Sequence, residues 1–569
     1  MIILGIGNTH HDPSACILVD GKLVAAAEEE RFSRNKHASG EFPVNAIKFC
    51  LNYAGLAPDD IQVVAHASSA VAYDRHKWDY FKRAIWTRPG QAIKAITKAE
   101  PRKKHFNEKP LEILKAAGIP TDKVEIVATE HHIAHAASAF YFSGFSSGAF
   151  MTMDGSGEFT ATMLGYFDEQ GKIHILKEFI VPDSLGFFYA TMTDYLGFEH
   201  DDGEYKVMGM APFGDPAKFN LDELVQYKNK KYYVNDDYIY AARRQRVHPD
   251  KWFSKKMVET YGPYRKGDGL SEPYIHVAAA TQKKFEDVSL KLIEDYLTEP
   301  LKRFGGRLAF SGGCALNVKL NQRIIEHPLV SELWVQPASN DGGLPLGAAA
   351  VAAHQYGEKI EPMKHAYYGP EYSSQEIERV FRPTPYKVTK ENSIVDTVSQ
   401  ILHKGEVVAW FQGRMEWGPR ALGNRSILGN PTVKGTADKI NEIIKFREVW
   451  RPFCPSILAD WADKILETKH DSPFMTFCFS VKPEWRERVP EIVHVDHTAR
   501  PQYVRKETNP IYFDLITKFH QLSGVPLLIN TSLNRRGEPM VCSPSDALVM
   551  FAGSGLKYLA IGDYLVSKG

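Results

Sequence analysis

The most regular pattern in the chain is a pair of similar runs of apolar and polar residues. Residues 2–30 alternate apolar segments (IILGIG, CILV, LVAAAEEE) with a polar stretch and a tight turn. Residues 149–179 repeat this order with AFMTMD, TMLGYF and IHILKEF. Short apolar runs bounded by polar turns predict strands, so each region predicts a three-stranded meander. The repetition predicts a duplicated α/β domain, with two unrelated meanders as the alternative.

A second pattern joins strands to helices through glycine-containing loops. Residues 306–327 predict a strand (RLAF), a loop at 311–313 and a helix (ALNVKLNQRII). Residues 333–353 predict a strand (LWVQP), the loop ASNDGG and an alanine-rich helix. Backbone N–H groups at such strand–loop–helix junctions are unpaired and bind anions, so both loops are candidate ligand loops.

The periodic pattern lapses once, over residues 357–374, where Pro, Gly and Ser accumulate. A predicted helix (SIVDTVSQILHKG) and strand (VVAWF) follow it. This linker divides the chain into predicted domains at 1–362 and 363–569. The basic and aromatic stretch 72–110 predicts a solvated helical insertion, with a lid that binds the acceptor as the second interpretation.

Composition narrows the class of protein. The 569 residues exceed what one hydrophobic core supports, and Lys plus Arg equals Asp plus Glu at 69 each. The absence of a basic excess argues against nucleic acid or an anionic membrane as a partner and favours small-molecule chemistry. His10, His11 and Asp12 interrupt the first apolar run, which therefore predicts neither a signal peptide nor a membrane span. Six cysteines without CxxC spacing predict free thiols in a reducing cytoplasm.

A candidate metal site begins with His131 and His135. These residues stand four apart in an alanine-rich segment that predicts a helix, so both side chains project from one face. Asp154 at the end of a predicted strand and Asp341 in the ASNDGG loop are candidate carboxylate ligands. Two imidazoles with carboxylates suit a first-row divalent metal, iron or manganese as readily as zinc. Ordinary helix histidines are the competing interpretation.

Arginines gather in the second predicted domain. Arg414, Arg420 and Arg425 lie among glycines in FQGRMEWGPRALGNRSIL, and further groups stand at 445–451, at Arg500 and at 530–536. Guanidinium groups hold phosphates through paired N–H donors. Because these groups alternate with Gly, Ser and Asn after apolar strands, they predict a polyphosphate pocket in which Lys445 screens charge.

Ten segments in order make the chain resemble the NodU/CmcH family of O-carbamoyltransferases, from residue 4 to about residue 565. They are HDPSA, AEEERFSRNKH, HHIAHAASAFYFSG, MDGSGE, GEYKVMGMA, SGGCALN, SNDGGLPLGA, EWGPRALGNRS, KFREVWRPF and NTSLNRRGEP. Tyr205 departs from the glycine usual in GE-G-K-MG, and Leu533 and Arg535 replace the commoner Phe and Val. These departures leave the expected reaction unchanged, but they weaken any inference from the family about which acceptor the protein uses.

The resemblance implies an α/β fold with a duplicated actin/sugar-kinase-like (RNase H-like) N-terminal domain and an α/β YrdC-like C-terminal domain. It implies that ATP with Mg²⁺ and carbamoyl phosphate form carbamoyl adenylate and pyrophosphate in the second domain. The first domain would bind iron, or another divalent transition metal, and transfer the carbamoyl group to a hydroxyl of a small molecule. A homodimer is implied as well.

The resemblance and the residue patterns together assign residues to roles. The catalytic residues are His11, Lys445 and Arg500, and the metal ligands are His131, His135, Asp154 and Asp341. Nucleotide and phosphate contacts fall on Gly312, Gly313, Asn317, Arg420, Arg425, Arg447, Arg451, Thr531, Ser532, Asn534 and Arg536.

Three alternatives are weaker. A threonylcarbamoyl-adenylate-type tRNA modification enzyme shares both domain types, but its tRNA partner favours a basic face that this neutral chain lacks. A hydrogenase-maturation carbamoyltransferase carries paired-cysteine zinc fingers, and no CxxC occurs here. A non-catalytic nucleotide-binding module has little need for four metal ligands. The acceptor itself stays open among aminoglycosides, cephems, macrocycles, sugar lipids and guanidine alkaloids.

Overall fold

The computed structural model describes residues 1–7, 11–267, 269–445, 448, 450, 453–468 and 470–568, without the side chains of Ile443 and Lys445. The chain divides into two compact units. The first comprises Met1–His10, Ser14–Val24 and Phe42–Pro362. The second comprises His11–Pro13, Ala25–Glu41 and Met363–Gly569, so it takes in two short segments from the range predicted for the first domain.

Two five-stranded sheets form the framework of the first unit, although β3 continues into the second. Their strands and those of a small hairpin are β1 Ile2–Ile6, β2 Ser14–Val19, β3 Lys22–Glu28, β4 Val63–His66, β5 Glu125–Ala128, β6 Gly148–Gly157, β7 Thr160–Phe167, β8 Ile173–Ile180, β9 Val225–Lys228, β10 Lys231–Val234, β11 Arg307–Ser311 and β12 Glu332–Val335.

The two large sheets share one topology. The first has the order β3-β2-β1-β4-β5 and the second the order β8-β7-β6-β11-β12. In each, the first strand pairs antiparallel with the second strand of its meander and parallel with a later strand. This correspondence confirms the predicted meanders and the predicted duplication, and it gives the N-terminal region a duplicated α/β architecture whose actin-like character stays a prediction.

The helices between residues 30 and 355 belong to the first unit, apart from α1, which belongs to the second. They are α1 Glu30–Ser33, α2 Val44–Ala54, α3 Ala70–Ala84, α4 Pro89–Thr97, α5 Ala99–Ala117, α6 His131–Ser143, α7 Leu185–Tyr195, α8 Glu204–Met210, α9 Lys255–Tyr261, α10 Tyr274–Leu292, α11 Thr298–Arg303, α12 Val318–Ile325 and α13 Leu344–Gln355.

Two alanine-rich helices lie in the interior of the first unit. α6 and α13 are buried along most of their length, and the first turns of α6 also carry three histidines. A helix buried on most of its sides lies in a core, and small side chains allow two such helices to approach closely. Gly347 permits this approach, because a Cβ atom there would lie 1.7 Å from the carbonyl oxygen of Ala134. The packing places the start of α6 beside the loop that precedes α13.

The 72–110 stretch is helical, as predicted, and belongs to α3, α4 and α5. Tyr73 and Tyr80 of α3 pack with Phe159 in a small apolar cluster. The six cysteines are free thiols, also as predicted, and all but Cys314 are buried. Among the described residues, no helix has the length and apolar character needed to cross a membrane.

The second unit contains an eight-stranded mixed sheet with the order β13-β22-β21-β14-β15-β20-β16-β19 and a two-stranded ribbon of β17 and β18. Its strands are β13 Lys387–Lys390, β14 Val408–Phe411, β15 Arg425–Gly429, β16 Cys454–Leu458, β17 Phe479–Ser480, β18 Thr498–Ala499, β19 Gln502–Val504, β20 Leu527–Ser532, β21 Tyr558–Ile561 and β22 Tyr564–Ser567.

The later helices lie in this same unit. They are α14 Ser374–Phe381, α15 Ile394–His403, α16 Thr436–Ile440, α17 Ala462–Ile465, α18 Pro483–Arg486, α19 Pro510–Ser523 and α20 Pro544–Ala552. The predicted helix and strand that follow the linker correspond to α15 and β14. The architecture is α/β, and its YrdC-like character stays a prediction.

Candidate metal centre and phosphate-binding residues

Four side chains of the first unit converge at one point. His131 and His135 stand on the first turns of α6, Asp154 lies in β6, and Asp341 begins the short turn that leads into α13. One ligand atom from each of the four residues lies within 4.8 Å of the others. The structure therefore brings together all four residues that the resemblance assigned to a metal.

The distances from the imidazole nitrogens to the other ligand atoms of this tetrad range from 3.1 to 3.7 Å. Nε2 of His135 lies 3.1 Å from Nε2 of His131 and 3.1 Å from Oδ2 of Asp154. Oδ1 of Asp341 lies 3.5 Å from both imidazole nitrogens. His135 is fully buried, and His131 and Asp341 are nearly so.

The buried charges alter the protonation of the tetrad. Burial alone lowers the pKa of His135, but hydrogen bonds to Asp154 and Asp341 outweigh it and raise that pKa to about 9. Burial raises the pKa of Asp154, but the two histidines outweigh it and hold the pKa well below its ordinary value. Without a cation the site therefore holds a proton between an imidazole and a carboxylate.

The tetrad fits a divalent metal by its donor set and its spacing. Ligand atoms about 2.1 Å from a common ion stand roughly 3.0–3.4 Å apart in octahedral or tetrahedral arrangements. The two distances of 3.1 Å fall within this range, and the nitrogen–oxygen distances of 3.5 and 3.7 Å lie slightly above it. Two imidazole nitrogens and two carboxylates are ligands that iron, manganese and zinc all accept.

Two neighbouring residues frame the tetrad. His132 points away from it, since its Nδ1 lies 2.8 Å from the hydroxyl of Thr152 and its Nε2 lies 2.9 Å from the carbonyl oxygen of Thr160. Gly157 lies against His131, where a Cβ atom would stand 2.1 Å from the imidazole Cγ. Glycine is thus required beside the ligand, and the third histidine of the helix has a structural role.

The glycine loop after β11 lies beside the same centre. The N–H of Gly312 donates to the carbonyl oxygen of Ser339, and a Cβ atom at Gly313 would lie 3.0 Å from Oδ1 of Asp154. Asn317 caps α12 by accepting a hydrogen bond from the N–H of Leu320, and its amide exchanges hydrogen bonds with Gln282 at 3.0 Å. The loop thus adjoins the tetrad, while the Asn317 amide already has protein partners.

In the second unit, Arg425 differs from its predicted role. Its guanidinium is fully buried and donates to the carbonyl oxygens of Gln412, Gly413, Asn424 and Pro370. It also stacks on the ring of Phe411 at 3.6 Å. With its donors directed at carbonyl groups in a closed environment, Arg425 fixes the loop 412–424 instead of meeting a phosphate.

A buried carboxylate stabilises the same loop. Oε1 of Glu416 accepts hydrogen bonds from the N–H groups of Leu422, Asn424 and Arg425. Arg420, which the sequence also assigned to phosphate, lies within this loop and is half-buried. The loop is therefore held from inside by Glu416 and Arg425 while Arg420 keeps partial exposure.

Other predicted phosphate contacts are placed by neighbouring strands. Thr531 and Ser532 end β20, and Nε of Arg500 donates to Sγ of Cys454 at 3.0 Å. Cys454 pairs with Asn530 in the sheet, so Arg500 lies close to the end of β20.

The residues after β20 form a hydrogen-bonded turn. The Ser532 hydroxyl donates to Oδ1 of Asn534, whose amide donates to the carbonyl oxygen of Glu538. The exposed Arg536 lies 3.8 Å from Glu448. Lys445 ends a π-helical turn at Asn441–Lys445 without a described side chain, and Arg447 and Arg451 lie outside the described residues.

His11, the predicted catalytic histidine, lies between β1 and β2 and belongs to the second unit. Its Nδ1 lies 3.1 Å from Oδ2 of Asp12, and Nδ1 of His37 lies 2.9 Å from the other oxygen of that carboxylate. Sequence reasoning missed Asp12 and His37 as site residues. The available signal was their presence in the motifs HDPSA and AEEERFSRNKH, where no spacing rule links them.

The chain matches models of one protein family and resembles several known proteins in sequence. A family model described as the carbamoyltransferase N-terminus matches residues 2–350, and one described as the carbamoyltransferase C-terminus matches residues 399–568. Similar proteins include an uncharacterized protein of Synechocystis sp., 34% identical over all of this chain and 96% of the relative. Nodulation protein NolNO of Sinorhizobium fredii is 33% identical over 99% of this chain and 80% of the relative.

Solved structures overlap less closely. HypF of T. kodakarensis has a TM-score of 0.33 and 13% sequence identity, over 63% of this chain and 48% of that one. Component A of the (R)-2-hydroxyglutaryl-CoA dehydratase of Acidaminococcus fermentans has a TM-score of 0.34 and 13% sequence identity, over 63% of this chain and 98% of that one. Overlaps at this level carry no conclusion about the reaction.

Proposed function

The chain belongs to the carbamoyltransferase family, and from this premise we propose that it is an ATP-dependent O-carbamoyltransferase acting on a hydroxyl group of a small molecule. The donor is carbamoyl phosphate, and the activated intermediate is carbamoyl adenylate. The second unit, which we propose to be YrdC-like, forms this intermediate from ATP with Mg²⁺. Nucleic acid is not a substrate, and the active form is a homodimer.

The first half-reaction balances with one water molecule. Carbamoyl phosphate and water give carbamate and phosphate, and a carbamate oxygen then attacks the α-phosphorus of ATP. The bond to the β-phosphate breaks, and pyrophosphate leaves with its electron pair. Arg500, Arg420 and Lys445 are the cations proposed to neutralise these phosphates, and the polar groups of Ser532 and Asn534 hydrogen-bond to them.

The transfer half of the proposal rests on one observation, the convergence of His131, His135, Asp154 and Asp341 within 4.8 Å. These residues would hold a first-row divalent metal, iron among them. Such an ion, when bound, supplies a Lewis acid for the carbonyl oxygen of the carbamoyl group. Gly312 and Gly313 are proposed to contact the ligand, and Gly313 lies beside Asp154, where a Cβ atom would stand 3.0 Å from Oδ1 of that residue.

His11 is proposed as the general base of the transfer. Its Nε2 accepts the proton of the acceptor hydroxyl while the hydroxyl oxygen bonds to the carbamoyl carbon. The bond between that carbon and the adenylate oxygen breaks, and AMP leaves with the electron pair. Imidazole is the side chain best suited to take up and release a proton in each turnover near neutral pH.

Mass spectrometry tests the whole proposal. The purified protein is incubated with ATP, Mg²⁺, carbamoyl phosphate and a panel of hydroxyl compounds that includes aminoglycosides, a hydroxymethyl cephem, a macrocycle and a sugar lipid. The expected result is one product with the mass of the acceptor plus a carbamoyl group replacing hydrogen. Carbamoyl-phosphate-dependent pyrophosphate release is measured alongside. A protein that releases no pyrophosphate under these conditions would contradict the proposal.

A further inference from the structure

The carboxylate of Asp12, in the second unit, lies within hydrogen-bond distance of two imidazoles. Nδ1 of His11 lies 3.1 Å from Oδ2 of Asp12, and Nδ1 of His37 lies 2.9 Å from Oδ1. The Asp12 side chain is 12% exposed, whereas that of His11 is 44% exposed. Burial raises the pKa of Asp12, but hydrogen bonds from both histidines outweigh it and keep the carboxyl ionised. An ionised carboxylate only accepts hydrogen bonds, so each histidine must donate its Nδ1–H.

The backbone holds this arrangement in place. The N–H of Asp12 donates to the carbonyl oxygen of His37 at 2.8 Å, so these two residues are joined by a main-chain and a side-chain hydrogen bond. The N–H of His37 donates to Oε2 of Glu30, and this hydrogen bond fixes His37 within the segment Ala25–Glu41. Asp12 and His37 both adopt left-handed backbone conformations, with φ of 54° and 60°. Such conformations cost free energy in non-glycine residues and persist where surrounding contacts enforce them.

The same residues make a poor cation site. Asp12, Glu30 and His37 offer ligand atoms within 4.8 Å of one another. However, the guanidinium of Arg31 lies 2.9 Å from Oε1 of Glu30, and its positive charge opposes a second cation. Asp12 also directs its two oxygens at two different imidazoles. The arrangement therefore matches a carboxylate that orients histidines better than a metal centre.

We propose that Asp12 is a positioning residue, held by His37, that fixes His11 in the tautomer with the proton on Nδ1 and the lone pair on Nε2. This inference rests on the proposed function, in which Nε2 of His11 takes the acceptor proton. Neutral histidine has one donor and one acceptor nitrogen, and the partner of one nitrogen decides the state of the other. Asp12 also stabilises the imidazolium that forms when Nε2 is protonated, and it stays ionised throughout.

The test is a direct measurement of the tautomer. Long-range ¹⁵N–¹H spectra of the full-length protein labelled with ¹⁵N-histidine are recorded at about pH 8, where ordinary imidazoles are neutral. The His11 signals are assigned by their loss in His11→Asn. The expected wild-type signal is predominantly the Nδ1–H form. A wild-type His11 that is predominantly Nε2–H would overturn the inference, and this measurement needs neither an acceptor nor a folded Asp12 variant.

Asp12→Asn gives the second arm. Asparagine has one acceptor oxygen and a donor NH₂, so it cannot accept from both imidazoles. The expected result is a shift of His11 towards the Nε2–H form together with loss of carbamoylated product, whereas carbamoyl-phosphate-dependent pyrophosphate release continues. Full product formation by this variant would overturn the inference. If the wild-type protein released no pyrophosphate, the proposed function itself would be contradicted.

A matched control removes a carboxylate–imidazole pair elsewhere. Nε2 of His174 lies 2.7 Å from Oδ2 of Asp168 in the hairpin that joins β7 and β8 of the first unit. Asp168→Asn should leave the His11 tautomer and product formation as in the wild type. An equal change of the His11 signal in this control would mean that the effect of Asp12→Asn is not local, and the inference would fall.

Discussion

Nε2 of His131 and Nε2 of His135 lie 3.1 Å apart, and both atoms face the carboxylates of Asp154 and Asp341. Two imidazole nitrogens approach this closely only when a proton or a cation lies between or beside them, because their lone pairs repel. The two carboxylates make a cation the stronger partner. Helix packing and β6 hold all four side chains towards one point, so the tetrad is organised for a metal.

The first prediction removes both imidazoles. His131→Ala combined with His135→Ala should bring bound metal to background, because two carboxylates alone bind a first-row divalent ion weakly. Pyrophosphate release by the second unit should continue, and product formation should stop. Metal analysis of the purified protein and a pyrophosphate assay measure the two effects.

His132 supplies the control for this variant. It occupies the same helical turn but bonds Thr152 and Thr160, so His132→Ala should retain metal and lose stability by about 1–3 kcal/mol as buried polar groups lose partners. If the wild type and the double variant bound equal, stoichiometric amounts of metal, the four residues of the tetrad would not be the metal ligands.

The second prediction concerns pH. The pKa of His135 is raised to about 9 in the metal-free protein, so metal must displace a proton at neutral pH. Affinity for Mn²⁺ should rise about tenfold per pH unit from pH 7 towards pH 9, with release of about one proton. Calorimetry in two buffers of different ionisation enthalpy measures the proton count. A pH-independent affinity with no proton release would show that His135 is neutral without metal.

The same shift has a consequence for stability. A histidine whose pKa is higher in the folded than in the unfolded state stabilises the fold below the unfolded pKa, near 6.5, and loses that contribution as pH rises to about 9. Metal-free protein should therefore show a falling Tm across this interval. Metal-loaded protein should show a smaller fall, because the ion replaces the proton.

The third prediction concerns Gly157. A methyl group there would overlap the His131 ring, with Cβ 2.1 Å from its Cγ, so Gly157→Ala should displace the ligand. We expect at least a tenfold loss of metal affinity, equivalent to about 1.4 kcal/mol. Gly90→Ala is the control, since no atom lies within 4 Å of a Cβ at that helical position. Unchanged metal binding by Gly157→Ala would mean that the ring is not confined by this strand.

Parts of this architecture follow from sequence for simple physical reasons. The meanders 2–30 and 149–179 are strands separated by short polar turns, where local pattern and global fold agree. The alanine-rich helix at α13 and the helix–strand order after the linker are similarly local. The pairing of His131 with His135 follows from helical periodicity alone. Neither Asp154 nor Asp341 could be joined to them by spacing, because three separate elements had to pack first.

Arginine roles were harder to predict. Arg414, Arg420 and Arg425 lie in one short glycine-containing segment, yet Arg425 is fully buried against carbonyl oxygens while Arg420 is half-exposed. The difference arises because Arg425 is the first residue of β15 and its side chain enters the core beside Phe411. Strand register decides which face a side chain takes, and one residue of register reverses it. Composition therefore predicted a cationic region without predicting which cations face outward.

The fourth prediction separates the two half-reactions. Lys445→Ala should abolish carbamoyl-phosphate-dependent pyrophosphate release, because phosphates lose charge stabilisation of several kcal/mol. His11→Asn should leave that release intact and stop product formation, since asparagine cannot take the acceptor proton. Pyrophosphate and product are measured in the same reaction mixtures. If His11→Asn blocked pyrophosphate release as completely as Lys445→Ala, the proposed division of labour would be wrong.

The last prediction contrasts two arginines of the second unit. The Arg425 guanidinium donates to four carbonyl oxygens inside the protein, and Arg425→Ala would remove this donor and leave a cavity beside Phe411. The carbonyl oxygens of Asn424 and Pro370 would keep the main-chain N–H groups of Gln412 and Met415 as donors. We expect a loss of about 3 kcal/mol or more in the free energy of unfolding. Arg425→Lys should recover little of this loss, because an ammonium group cannot span the same carbonyls.

Arg500 should behave in the opposite way. It is half-buried and has a single described side-chain contact, to Sγ of Cys454, so Arg500→Ala should change the free energy of unfolding by less than about 1 kcal/mol. It should nevertheless abolish pyrophosphate release, because a phosphate cation is lost from an intact fold. Urea unfolding and the pyrophosphate assay on the same preparations measure both quantities. If Arg425→Ala had wild-type stability but released no pyrophosphate, Arg425 would be a phosphate contact after all. If Arg500→Ala released pyrophosphate at the full rate, Arg500 would not be a phosphate contact.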